Sequence, residues 1–459
     1  MAVWSVATHR SLLAHGRTDA EFFQPGFLEA EAMLSCVDTN VVARHFEISD
    51  GNHLEVSRWF TDEGGAVPYY RGQDLNGFFL ENSTPVQIPR NIYDRANMHR
   101  SHFLPEDVLI CIVGASTGTI SVVTSNTIPC TGSCKIGIVR RQLGGLVDPL
   151  FLAAFLLGKF GQYQIARHSR GTAQGGLILK DIFKLLVPVL PEVEQQLIRR
   201  LIGNALSLNN QAINFYSDAE QVFESELGLG KLTFQKPIGY SARFSTVGWS
   251  ETFSAGRVDA QCFAPDALFY ESWLHTHAQC DHLGKLLCST EKGRQQADSA
   301  CGSTDYCSIK HINAREIVDA SKCFPKADTP MAGLDDLLLA ITGATIGKVG
   351  IVKRYERLAF SGDLLCLRTS ESVDPHYLLL VLDHKIGQVQ FNRWITGSTN
   401  GHLAPRDAAR VLVPRLSNET EGQIAELVKS SLSKRNESEQ LLEQAKSRVE
   451  QLIEEAARR

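Results

Sequence analysis

The chain has 459 residues, 43% of them hydrophobic and 21% charged, with a formal net charge of −5. That length holds two or three domains with proper cores, and the composition is that of an ordinary globular protein. No apolar run approaches the roughly 18–20 residues that span a bilayer, and no apolar signal segment follows the start, so a cytoplasmic protein without a membrane partner is expected. The acidic balance excludes a uniformly basic nucleic-acid module but leaves room for a basic cleft on one face.

In chain order, the first recognisable block is Arg17-x-Asp19-Ala20-x-x-Phe23-x-Pro25. It returns 240 residues later as Arg257-x-Asp259-Ala260-x-x-Phe263-x-Pro265. The next is the apolar run Val108–Val113 with the glycine turn Gly114-Ala-Ser-Thr-Gly118, repeated 229 residues on as Leu337–Ile341 with Gly343-Ala-Thr-Ile-Gly347. Short apolar runs closed by glycines read as strands entering tight turns. A phosphate-cradling loop is the other reading, but the Lys-Ser/Thr of a P-loop is missing.

A helical stretch follows in each half, Pro149–Ile165 and Pro375–Phe391, with Asp148 and Asp374 in front. Both carry the same end: Gly161-Gln-x-Gln-x-x-Arg167 and Gly387-Gln-x-Gln-x-x-Arg393, now at a constant offset of 226. Each leads to a polar, glycine-spaced loop. These run from Arg167 through Arg170 and Gly171 to Gly175, and from Arg393 through Ser398 and Asn400 to Gly401. Such a loop either presents donors to DNA or merely links helix to strand. Asp181 and Asp407, then Val187-Pro188 and Val413-Pro414, complete the parallel. Ordered blocks at nearly constant offsets mark two copies of one domain.

Each copy closes with a long helix. Apolar residues at Ile198, Leu201, Ala205, Leu208, Ala212, Phe215, Ala219 and Val222 alternate in steps of three and four, a heptad seam. The last segment starts with Ile424 and Leu427, turns polar over 430–438, and resumes at Leu442, Ala445, Val449, Leu452 and Ala456. The sister helix is the simplest partner for such a seam; packing on its own domain is the alternative. About 30 helical residues span roughly 45 Å. The expected fold is α+β: two duplicated target-recognition domains joined and separated by two long antiparallel helices, a coiled coil with pseudo-two-fold symmetry. The expected boundaries are 1–190 and 240–416 for the domains, with helices over 191–232 and 417–459.

Chemistry of other kinds finds little support. Eleven scattered cysteines read as reduced thiols. Cys130 and Cys134, and the stretch His275, His277, Cys280 and His282, lack the paired layout of a zinc site. Asp335-Asp336 precedes a strand and reads as turn carboxylates. Gly228-Leu-Gly230 fits a helix C-cap better than a cofactor loop. No methyltransferase Asn/Asp-Pro-Pro-aromatic tetrapeptide, nucleophile elbow, zinc-protease helix or Walker motif is present, so no catalytic residue, metal or cofactor is expected.

Taken in order, these blocks resemble the specificity subunits of type I restriction-modification systems over nearly the whole chain. The segment Val67-Pro68-Tyr69-Tyr70-Arg71-Gly72-Gln73-Asp74-Leu75 and the helix opening at Glu194-Gln195-x-x-Ile198 are part of the likeness. Two departures are Ile309-Lys310-His311-Ile312-Asn313, where the first copy has Arg-Gly-x-Asp, and Glu421-Gly-Gln-Ile424 at the second helix. The resemblance implies a non-catalytic subunit that binds double-stranded DNA. Each domain would read one half of a split target in the major groove, and the helices would set the spacing. It also implies methyltransferase subunits, two of them, docked on the chain, with a motor-nuclease subunit as an optional third component. DNA contacts expected from residue type and position are Arg71, Arg90, Arg100, Arg167 and Arg170 in the first copy, with Lys310, Arg315, Arg393, Ser398, Asn400 and His402 in the second. A stand-alone regulator of a split DNA site, a nuclease with an unrecognised active site, and a coiled-coil scaffold with two protein-binding heads are the rival readings.

Overall fold

In the computed structural model, the structure describes residues 5–6, 8–9, 12, 16–61, 65–170, 176–232, 234, 237–241, 259–397 and 400–458. The chain divides into two compact units. One contains residues 1–209 and 436–459, the other residues 210–435.

In the first unit, Pro25–Leu34 forms the opening helix. A four-stranded antiparallel sheet follows in the order Phe46–Asp50, Ile136–Arg141, Val108–Cys111, Ile120–Val122. Its central strand, Val108–Cys111, is buried at every position, as a strand covered on both faces must be. A smaller sheet runs Val86–Ile88, Val67–Tyr70, Thr131–Gly132, with the last pair parallel. Thr39–Val41 pairs with Leu186–Pro188.

The second unit repeats this order. Leu287–Lys292, Leu364–Thr369, Leu337–Ala340 and Val349–Ile351 stand in the same sequence. Two added strands, Glu316–Ile317 and Ile312–Asn313, extend the sheet to six. The smaller sheet has Ser321–Cys323, Thr304–Cys307 and Leu358–Phe360 in matching places, plus Met331–Ala332. The duplication therefore reaches segments where the two sequences share almost nothing.

The helical stretch after each sheet is broken rather than continuous. Pro149–Leu157 and Lys159–His168 are separate helices, as are Pro375–Asp383 and Lys385–Trp394. Asp148 caps the first by accepting from the Leu150 and Phe151 N–H groups at 2.9 and 3.2 Å, and Asp374 accepts from His376 N–H at 2.7 Å. Proline follows each cap, where its missing N–H costs nothing. At the breaks, Gly158 and His384 are extended.

The two long helices are Glu192–Glu226 and Asn418–Ala457. The buried stripe of the first is Ile198, Ile202, Ala205, Asn209, Ala212, Tyr216, Ala219 and Phe223. Half of the apolar positions chosen from sequence lie on it. The other half are displaced by one residue, because the true stripe accepts Asn209 and Tyr216. The polar middle of the second helix likewise stays in its seam, through Ser431 and Ser438. In the first unit Ser438 Oγ donates to the Ala205 carbonyl at 2.7 Å, and Arg448 Nη2 bonds Glu194 at 2.7 Å. In the second, Ser431 Oγ donates to the Ala212 carbonyl at 2.6 Å. In the first unit the later partner, Arg448, meets the earlier one, Glu194, so the segments run antiparallel there.

Candidate nucleic-acid interface

The residues shared by the two copies act on each other. Gln162 Nε2 donates to the Leu156 carbonyl, exposed by the helix break, at 2.8 Å, and to Gly118 of the glycine turn at 3.1 Å. Gln388 makes the same pair of bonds to Leu382 and Gly347, at 2.7 and 2.9 Å. Gln164 exchanges two bonds with the Leu186 backbone, and Gln390 does the same with Leu412. Asp107 binds Arg140 while accepting Leu104 N–H, and Asp336 binds Arg368 while accepting Gly333 N–H. Burial pushes the Asp107 carboxyl above its ordinary value, against the pull of the Arg140 hydrogen bonds. A Cβ at Gly161 would lie 2.4 Å from Leu156 Cα, and one at Gly387 would lie 2.4 Å from the Val381 carbonyl oxygen. Every one of these groups serves the scaffold.

Arg167 and Arg393, expected from the sequence as DNA contacts, are buried and bonded within the same set. Arg167 is 6% exposed and Arg393 is 2% exposed. Arg167 Nε donates to the Phe22 carbonyl at 2.9 Å and its guanidinium pairs with Glu31 at 3.0 Å. Arg393 Nε donates to the Cys262 carbonyl at 2.8 Å and pairs with Glu271. Each staples the opening block of its copy to the helix behind it. Arg315 is also engaged inward: its guanidinium lies 3.5 Å from the Tyr216 ring centroid and pairs with Asp383.

Of the other candidates, Arg90, Arg100, Arg170, Lys310 and Asn400 are exposed, and Arg71 and His402 are half-buried. Arg90 pairs with Asp94 at 3.1 Å, Arg100 with Asp50, and Arg170 with Asp181 at 3.1 Å. Lys310 stands 3.5 Å from Asp298, with a 65% exposed side chain. Asn400 is exposed. His402 closes a short hairpin with Thr396 and bridges to Thr342 of the glycine turn. The first copy shows the same closure between Arg170, Gly176 and Val113, so the polar loop and the glycine turn meet in both. Ser398 and the loop over 171–175 lie outside the described residues.

The first unit holds a cleft of about 880 Å³, and of the predicted contacts Arg71 lines it. Its walls include Asn52, His53, Arg71, Gln73, Ser116 and Lys135. Ser116 Oγ donates to the Gly72 carbonyl at 3.1 Å, fastening the glycine turn to the short turn Gly72–Asp74. Asp74 fixes Arg71 by accepting from its Nε and Nη2 at 2.9 and 3.0 Å. Asp50 pairs with both His53 on the cleft and Arg100 beside it. The adjoining surface interleaves arginine with aromatic rings. Arg58 and Arg95 lie 4.1 and 4.9 Å from the Trp59 ring, Arg90 lies 5.3 Å from Tyr93, and His102 stacks on Tyr93 at 3.7 Å. Burial holds the His102 pKa below its ordinary value. Guanidinium groups laid on rings are pre-organised for phosphate contacts and lose less entropy on binding. The sequence reading did not single out Arg58, Trp59, Gln73, Arg95 or Lys135; the alternation of arginine and aromatic residues at 58–59 and 90–95 is a signal for Arg58, Trp59 and Arg95, whereas Gln73 and Lys135 are brought to the cleft by the fold alone. Among the described residues, no three His, Cys, Asp or Glu side chains converge as metal ligands.

This is a duplicated α+β chain whose first copy carries a cleft lined by Phe60, Tyr69, Arg71 and Lys135. No family model matches it, and no curated protein matches it. It is similar to the S subunit of the type I restriction-modification system from M. genitalium, with 12% identity, a TM-score of 0.39 and coverage of 91% of this chain and 95% of that one. It is also similar to the HsdS subunit from Thermoanaerobacter tengcongensis, with 14% identity, a TM-score of 0.29 and coverage of 92% and 96%.

Proposed function

We propose that the chain is the DNA sequence-recognition subunit of a type I restriction-modification complex. Each copy reads one half of a bipartite target in double-stranded DNA. The paired helices carry the copies and offer docking surfaces to methyltransferase subunits, two in number, with a motor-nuclease subunit as an optional addition. The chain itself performs no catalysis and works in the cytoplasm.

One observation carries this reading. The two copies keep an identical set of buried ties, from Gln162 and Gln388 to Arg167 and Arg393, while their exposed donors differ. A protein that reads two different half-sites needs one scaffold and two reading surfaces. The motif order in the sequence supports the same conclusion. The surface candidates Arg71, Arg90, Arg100, Arg170, Lys310, Asn400 and His402 remain proposed contacts, joined by Arg58, Arg95 and Lys135.

Footprinting of the full chain on duplexes recovered from a random pool tests the reading. Two protected blocks separated by a fixed number of unprotected base pairs are expected. A single continuous block, or no retained duplex, would overturn it.

A further inference from the structure

The cleft contains a short turn whose counterpart in the second copy shares its backbone closure but not its residues. In the first copy, strand Val67–Tyr70 leads through Arg71 into the 3-10 turn Gly72–Asp74. In the second, strand Thr304–Cys307 leads through Ser308 into the turn Ile309–His311. Both are closed reciprocally. Asp74 N–H donates to the Arg71 carbonyl at 2.8 Å, and the Asp74 carboxylate accepts from Arg71 N–H at 2.8 Å. His311 N–H donates to the Ser308 carbonyl at 3.0 Å, and His311 Nδ1 accepts from Ser308 N–H at 2.9 Å. The same device is thus built once from Arg and Asp and once from Ser and His. The sequences Arg-Gly-Gln-Asp and Ser-Ile-Lys-His hide a common backbone.

In each four-residue segment only the third residue is exposed. It is Gln73 in the first copy and Lys310 in the second. The neighbours on both sides are fixed by the closure, so this side chain alone varies without disturbing the turn. Gln73 lines the cleft together with Arg71, Ser116 and Lys135. The two side chains carry different recognition chemistry. A glutamine amide donates and accepts at once, matching the N6 and N7 edge of adenine; a lysine ammonium only donates, matching O6 and N7 of guanine.

We infer that this turn is a base-reading position in both copies, with Gln73 reading an adenine in one half-site and Lys310 a guanine in the other. The inference rests on the bipartite DNA-reading function proposed above. The arginine and aromatic face beside the cleft holds the backbone, and the turn presents the side chain that discriminates. Lys310 Nζ stands 3.5 Å from Asp298, which also accepts from Ser321 Oγ at 2.8 Å.

Exchange of the two side chains tests the assignment. The full chain and its Gln73→Lys and Lys310→Gln variants are each used to select duplexes from a random pool, with folding checked by thermal unfolding. Q73K should move the preference at one position of one half-site from A·T to G·C, by roughly 5- to 150-fold. The second half-site should be unchanged. K310Q should make the opposite change at one position of the other half-site. Should Q73K fail to fold, Gln73→Ala is read instead and should lose the preference at that same position. A split motif from the unaltered chain that survives every folded variant unchanged would overturn the inference while leaving the bipartite reading intact. Selection of no motif by the unaltered chain would overturn both.

Discussion

Replacing Arg393 by alanine separates a scaffold arginine from a DNA contact. The side chain is 2% exposed, donates to the Cys262 carbonyl at 2.8 Å, pairs with Glu271 and lies 4.9 Å from the Trp394 ring. The carboxylate it leaves behind has a side chain only 16% exposed. Breaking a buried pair by removing one partner costs about 3–5 kcal/mol, because the remaining charge is desolvated without compensation. For a unit of this size each kcal/mol lowers the melting temperature by roughly 2–4 °C, so a fall of about 6–20 °C is expected in the transition of the unit that contains it. Differential scanning calorimetry of the purified chain reads this directly. DNA affinity measured well below the lowered transition should be close to that of the parent protein. An unchanged transition combined with lost DNA binding would refute the scaffold assignment.

Other consequences are equally direct. Gly387→Ala places a Cβ 2.4 Å from one helix carbonyl oxygen and 2.6 Å from the next, and should lower the urea-derived stability by about 1–3 kcal/mol. The double variant Arg58→Gln, Arg95→Gln removes two cations from the basic face; the slope of log K against log salt should flatten by about one per residue without a change in the selected motif. His311 is held below its ordinary pKa, first by burial and then by Lys310, and its Nδ1 must stay unprotonated to accept from Ser308. The unfolded chain therefore takes up this proton first as pH falls. The His311 contribution is fully present above about pH 6.5 and is lost below it, and unfolding midpoints measured between about pH 7.5 and 5.5 should fall less in His311→Asn. Deleting seven residues from each long helix, one heptad, should shorten the unread spacer and leave both half-site sequences unchanged in duplex selection; altered half-sites would contradict the role of the helices as a ruler.

The duplication was legible because its ties are polar residues at fixed spacing, such as Gly161-Gln-x-Gln-x-x-Arg167 and its copy. Their roles were not. Arg167 and Arg393 look like DNA contacts when taken singly, since a sequence does not show that Phe22 and Cys262 offer their carbonyls to them. Repetition itself was the usable clue: residues kept in both copies at fixed spacing are those bonded within the scaffold. The helical seams were legible in period but not in register. Asn209, Ser431 and Ser438 are polar yet lie on the buried face, where an apolar count skips them. The turn at Ser308–His311 departs from the sequence pattern, because closure by a histidine ring nitrogen leaves no trace of the Arg/Asp form. Side-chain identity diverged there while the backbone hydrogen bonds were kept.

The central claim is that this chain directs DNA modification to a split sequence. Modified-base sequencing of the host genome with and without the gene tests it most directly. Loss of methylation at one bipartite motif on deletion, and its return on complementation, is the predicted result. A methylation pattern that is the same with and without an expressed chain would contradict the account.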